Sequence, residues 1–113
     1  MIRLATLFSG IGSVEQALER ANISHKIIFA CDNGDINIEY NHELEFNKIK
    51  NMTSKLEKKR YVDKLYASKS KKQNYVKMTY LANYGDKILE DDFHLDINLL
   101  DGTDYKNQVD LLV

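Results

Sequence analysis

The stretch from Thr6 to Leu18, TLFSGIGSVEQAL, constrains this chain more than any other. Leu4-Ala5-Thr6-Leu7-Phe8 is an apolar run that predicts a short buried strand. Ser9-Gly10-Ile11-Gly12 breaks the run, and Ser13 is placed to cap a helix that opens with Val14-Glu15-Gln16-Ala17-Leu18. A strand, a glycine-rich turn and a helix N-terminus in that order make a ligand cradle. Glycines let the backbone turn sharply and come close to a ligand. The free N–H groups and positive dipole end of the helix face outward. The turn is G-x-G with no third glycine in register, which argues against a dinucleotide pyrophosphate. A strand–turn–helix corner that binds nothing is the competing reading.

The rest of the first half repeats the pattern. Ser13–Asn22 is predicted helical, with Val14, Ala17, Leu18 and Ala21 on one apolar face. Lys26–Cys31 is a continuous apolar run, as expected of a parallel strand covered on both sides. Asp32-Asn33-Gly34-Asp35 reads as a turn, with Asp35 or its neighbour capping a helix that runs to about Phe46. Strand, helix, strand, helix predicts a parallel α/β sheet with right-handed crossovers. The 113 residues fit one domain, residues 1–113.

Residues 47–85 interrupt the rhythm. Helical spacing predicts two helices, the first starting near Thr53 or Ser54, a hinge near 68–70, and a second helix ended by Gly85. This is read as a helical insertion, emerging at the sheet edge opposite the strand ends. The charge is uneven: residues 47–77 hold eleven basic and two acidic residues, a net of +9, while the remainder holds five basic and fifteen acidic, a net of −10. Such a block marks either a polyanion partner or a solvated hairpin. Phe93-His94-Leu95 and Val109–Val113 then read as a third and a fourth strand. The sheet stops on an apolar strand with no covering helix, and the chain therefore reads as cut.

No run of apolar residues is long enough for a transmembrane helix, and the N-terminus lacks a signal-peptide layout. One cysteine, Cys31, excludes an internal disulfide and fits a cytoplasmic location. His25, His42 and His94 are far apart, which argues for structural or surface roles and against a metal site.

In open parallel sheets, ligands bind beyond the C-terminal ends of the strands. Here the first end carries the glycine turn, the second Asp32 and the third Asp96. Asp32 can accept two hydrogen bonds from vicinal ribose hydroxyls, and Asp96 one from an exocyclic amine. Together they outline a site for an adenosine-containing ligand.

At these residues the chain resembles the N-terminal part of a bacterial cytosine-5 DNA methyltransferase of the restriction–modification type. That family opens with D-L-F-x-G-x-G-G, which TLFSGIGS is similar to at Leu7, Phe8, Gly10 and Gly12. Thr6 stands where the family has Asp, and Ser13 where it has the last Gly. The resemblance covers residues 1–46 and 86–113. It implies a partial Rossmann-like fold, a mostly parallel sheet with flanking helices, that binds S-adenosylmethionine. Phe8 would lie against the adenine, and the backbone of Ser9, Gly10, Ile11, Gly12 and Ser13 near the methionine part. Asp32 would hold the ribose, Asn33 would flank the adenine, and Asp96-Ile97 would meet the adenine edge. QVDLLV is similar to the strand that leads into the family's catalytic Pro-Cys loop.

The family's nucleophilic cysteine would follow Val113, so the resemblance implies a chain inactive alone, with weak or undetectable binding of cofactor. Its partners would be double-stranded DNA and the catalytic remainder of the enzyme. Self-association through the 109–113 edge is a further expectation. Two other readings stay open. One is a free-standing adenosine-ligand-binding module, the other an interaction protein working through its basic hairpin.

Overall fold

The computed structural model describes residues 1–113. Four parallel strands form one sheet in the order β3-β2-β1-β4. The strands are β1 (Ile2–Leu7), β2 (His25–Cys31), β3 (Phe93–His94) and β4 (Leu111–Leu112). Four helices accompany them: α1 (Ser13–Arg20), α2 (His42–Lys50), α3 (Lys55–Lys69) and α4 (Tyr75–Tyr84). The chain is thus an α/β domain. None of its helices is long and apolar enough to cross a membrane.

The two inner strands carry the core. Leu4 pairs with Ile27 but Ala5 with Phe29, so Ile28 is an extra residue bulged out of β2. A bulge resets the alternation of side chains. Ile27 and Ala30 accordingly share one face with Tyr80, Tyr84, Ile88 and Phe93. Ile28 and Phe29 share the other with Ala5 and Tyr105. The first face is covered by α4; the second is covered by the segment through Tyr105 and Val109. A third cluster joins Ile36, Ile49, Val62, Tyr66 and Leu99, and ties α2 and α3 to the turn after β3.

Four sequence expectations need correcting. No helix begins at Asp35. That residue adopts φ +59, and its N–H bonds to the Asn33 side chain (2.9 Å), a local turn that competes with helix. Residues 36–41 are irregular, with Ile36, Ile38 and Tyr40 inward and Asn37 and Glu39 exposed. The helix starts after Asn41, whose side chain accepts from the Leu44 N–H (3.0 Å). Second, Ser13 does not cap α1: Gly12, at φ +100, takes the cap position without a side-chain bond. Third, the residue that α1 buries fully is Glu15, not a member of its apolar face.

The fourth correction concerns residues 47–85. The hairpin boundaries are as expected, with Ser54 capping α3 and Gly85 following α4. Its position is not. The hairpin lies against the strand ends, because burial of the Tyr80 and Tyr84 rings over Ala30 and Phe93 draws α4 onto the sheet. Ion pairs fasten it further. Lys58 bridges Asp101 (3.0 Å) and Asp104 (2.9 Å), and Lys77 pairs with Glu90 (2.6 Å). Lys59, 3% exposed, sits between Asp63 and Glu90. Burial alone would lower the Lys59 pKa, but these two carboxylates outweigh it and hold the ammonium above its usual value. Three of the eleven basic residues of the block are therefore paired with carboxylates inside the domain.

Candidate functional site

The chain makes three successive loops at the C-terminal ends of β1, β2 and β3. The first contains three left-handed residues: Phe8 at φ +54, Gly10 at φ +57 and Gly12 at φ +100. For a phenylalanine this backbone costs about 1 kcal/mol, the kind of local strain that concentrates at functional sites. The residue is 77% exposed at the mouth of a pocket. Ser9 is turned inward. Its hydroxyl bonds to Thr6 Oγ1 (2.6 Å) and to the Cys31 backbone, where it accepts from the N–H (3.0 Å). Thr6 thus closes a buried hydroxyl pair that fixes the turn. A Cβ on Gly10 would project into open space, so the turn leaves room beside it for a ligand.

Asp32 ends β2 and links the first two loops. Its Oδ2 accepts from the Gly10 N–H (2.9 Å), and its Oδ1 from the Gly34 N–H (2.7 Å). A carboxylate oxygen has two acceptor sites, so one remains free on each oxygen. That spacing suits a vicinal diol. Asp96 ends the third loop, 8% exposed. Its Oδ2 accepts from the hydroxyls of Tyr40 (2.7 Å) and Tyr66 (2.8 Å), and its Oδ1 from the Asn98 N–H (2.8 Å). One acceptor site remains, on Oδ1. Burial, and then the Asp96 carboxylate, push both tyrosine pKa values up, which keeps the hydroxyls as donors.

Five of the ten expected residues, Phe8, Asp32, Asn33, Asp96 and Ile97, line one pocket of about 300 Å3. Ile36, Ile38, Tyr40, Tyr66 and Leu95 supply its apolar walls. This is within the size range of small-ligand sites, roughly 300–1,000 Å3. Ser9, Gly10, Ile11, Gly12 and Ser13 lie beside it, joined through the bond from Gly10 to Asp32. Gly12 has a packing role as well: a Cβ there would overlap the Tyr84 ring, and its carbonyl accepts from the Tyr84 hydroxyl (3.2 Å).

Tyr40 and Tyr66 are site residues that sequence reasoning missed. The alternation Ile36, Ile38, Tyr40 was a signal for the first. Tyr66 sat in a helical aromatic pattern that suits any core. Cys31 also borders the pocket. Burial first, then Asp96 and Asp32, push its thiol up to about 12, so it is protonated and not a nucleophile near neutral pH.

A larger cleft of about 630 Å3 opens between α3, the 70–74 linker and α4, and shares Asn33, Ile36, Tyr66 and Leu95 with the pocket. Size alone would favour it. The carboxylates with free acceptor sites and the glycine turn gather at the smaller pocket, which is therefore the chemical site. No group of three or more His, Cys, Asp or Glu is arranged to hold a metal ion. Comparison with protein-family models, curated proteins and solved structures finds no match to this chain.

Proposed function

We propose that residues 1–113 form the cofactor-binding part of a DNA (cytosine-5-)-methyltransferase of the restriction–modification type, with S-adenosylmethionine as the ligand of the 300 Å3 pocket. The observation that carries this reading is the convergence of Phe8, Asp32, Asn33, Asp96 and Ile97 on one pocket beside the glycine turn. The strand order 3-2-1-4 supports a Rossmann-like fold, with its switch point between β1 and β4 next to that turn.

The residues present fit the cofactor. The two free acceptor sites of Asp32 match the ribose hydroxyls. The single free site of Asp96 matches the adenine amine, between the apolar walls of Ile36, Ile38 and Ile97. Phe8 is positioned to cover the base, and the open side of Gly10 leaves room for the methionine part. S-adenosylmethionine, when bound, supplies the activated methyl group. This chain's own residues bind and orient. The protonated Cys31 does not take the role of the nucleophile that attacks cytosine, and that group belongs to the catalytic remainder of the proposed enzyme.

Equilibrium dialysis with labelled S-adenosylmethionine tests the reading. Binding weaker than micromolar is expected, because Phe8, the cover over the base, is itself 77% exposed with nothing packed behind it. Asp32→Ala and Asp96→Ala should each weaken it about tenfold, the value of one or two lost hydrogen bonds to a charged group. Binding unaffected by both substitutions would refute the site.

A further inference from the structure

The hairpin formed by α3, the 70–74 linker and α4 makes one side-chain hydrogen bond to each of the three loops, each time at a residue of the candidate site. Tyr84 donates to the carbonyl of Gly12 in the glycine turn (3.2 Å). Asn74 Nδ2 donates to the carbonyl of Asp32 (3.0 Å). Tyr66 donates to the carboxylate of Asp96 (2.8 Å). Two of these contacts are matched by a glycine in the loop. A Cβ on Gly12 would overlap the Tyr84 ring, and a Cβ on Gly34 would overlap the Asn74 side chain. The hairpin ties are not loosely held. Asn74 Oδ1 also caps α4 by accepting from the Lys77 N–H (2.9 Å), and Tyr66 and Tyr84 are buried in two different clusters.

We propose that the hairpin is the frame of the ligand site, with Tyr66, Asn74 and Tyr84 as positioning residues that set the three loops relative to one another. The inference rests on reading the pocket as an adenosine site. Tyr66 has the most specific task. With Tyr40 it fills Oδ2 of Asp96, and Asn98 takes half of Oδ1, so the carboxylate presents one acceptor in one direction. A base with an amine at that edge gains a bond. A base with a carbonyl there places two acceptors face to face. Without the Tyr66 hydroxyl, a second acceptor site opens on Oδ2, two donors hold the carboxylate in place of three, and the distinction fades.

Two readouts test this on the whole chain and on Tyr66→Phe, Asn74→Ala and Tyr84→Phe. The first is amide hydrogen exchange at Gly10 and Gly34, held by Asp32, and at Asn98, held by Asp96. Asn74→Ala should speed exchange at Gly10 and Gly34, Tyr66→Phe at Asn98, and Tyr84→Phe in the turn at 10–13, with β1 and β2 unchanged. The second is the ratio of affinities for S-adenosylhomocysteine and its 6-oxo analogue S-inosylhomocysteine. Tyr66→Phe should lower that ratio about tenfold, while Asn74→Ala weakens both ligands alike. A merely structural role for Tyr66 would leave the ratio intact. Exchange that rises evenly across the sheet, or an unchanged ratio with a ligand that binds, would overturn the frame. If the unaltered chain binds neither ligand at millimolar concentration, the adenosine reading fails, and the exchange pattern alone decides whether the hairpin holds the loops.

Discussion

Gly34→Ala probes the junction between hairpin and site most sharply. Gly34 adopts φ +62, where alanine costs about 1 kcal/mol. The new Cβ would also overlap Asn74 Oδ1. Normally a side-chain tip yields cheaply, but this one is fixed at both ends. It caps α4 through the Lys77 N–H and bonds to the Asp32 carbonyl. Pushing it aside uncaps the helix, at about 1 kcal/mol, and leaves the carbonyl unpaired, at about 1 kcal/mol more. The total is about 3 kcal/mol, a large share of the roughly 5–15 kcal/mol that stabilises a domain. Asn74→Ala alone loses the cap and the bond, about 2 kcal/mol. Once Asn74 is alanine, Gly34→Ala has only the backbone cost to add. The double variant should therefore lose about 3 kcal/mol, not the 5 of an additive pair, a coupling of about 2 kcal/mol. Urea unfolding followed by circular dichroism measures all four proteins, with constant slopes required for the comparison. Additive losses, or a loss near 1 kcal/mol for Gly34→Ala alone, would refute the packing argument.

Three other outcomes are expected. His94 is buried, and burial, then Lys59 and Lys55, lower its pKa to about 4. The unfolded chain, near 6.5, takes up the proton first, so this contribution to stability is complete above pH 6.5 and is lost as pH falls towards 4. Between pH 7.5 and 4.5, His94→Gln should show an acid loss smaller than the native chain's by about 2–3 kcal/mol in urea unfolding, and an equal loss would count against it. Glu15 is fully buried with both carboxylate oxygens unpartnered, and the nearby Tyr80 hydroxyl is unpartnered as well. Glu15→Gln supplies two donors beside that hydroxyl, and should raise stability by about 1 kcal/mol in thermal unfolding, where a loss would count against it. Lys58→Met leaves Asp101 and Asp104 facing each other in a half-buried site, and should cost about 2–3 kcal/mol, whereas Lys71→Glu with Lys72→Glu on the exposed linker should change stability by less than about 0.5 kcal/mol.

The parts of the fold legible in the sequence are those set by neighbours in the chain. The apolar runs at 4–8 and 26–31 became β1 and β2, and Ser54 and Gly85 marked the hairpin ends because capping is local chemistry. The start of α2 was misplaced because the Asn33–Asp35 turn consumes the cap chemistry expected at Asp35, and Asn41, six residues on, caps the helix. The bulge at Ile28 left no mark in an all-apolar run, yet it decides which face each β2 side chain serves. For the site, the glycine turn, Asp32 and Asp96 were readable because strand ends collect ligand groups, while Phe8 was named only through the resemblance. Tyr66, Asn74 and Tyr84 were not. Their hydroxyls and amide act across 30, 42 and 72 residues of chain, and nothing local separates a tyrosine that packs from one that also aims a carboxylate.

On the proposed reading, the three loops bind the adenosine of S-adenosylmethionine. Nuclear magnetic resonance titration of the 15N-labelled chain with S-adenosylhomocysteine, at up to millimolar ligand, tests it most directly. Saturable shifts are expected at Phe8, Gly10, Asp32, Asn33, Asp96 and Ile97, lost in Asp32→Ala. Shifts confined to the 630 Å3 cleft, at Lys71, Gln73 and Met78, or no shifts at all, would contradict it.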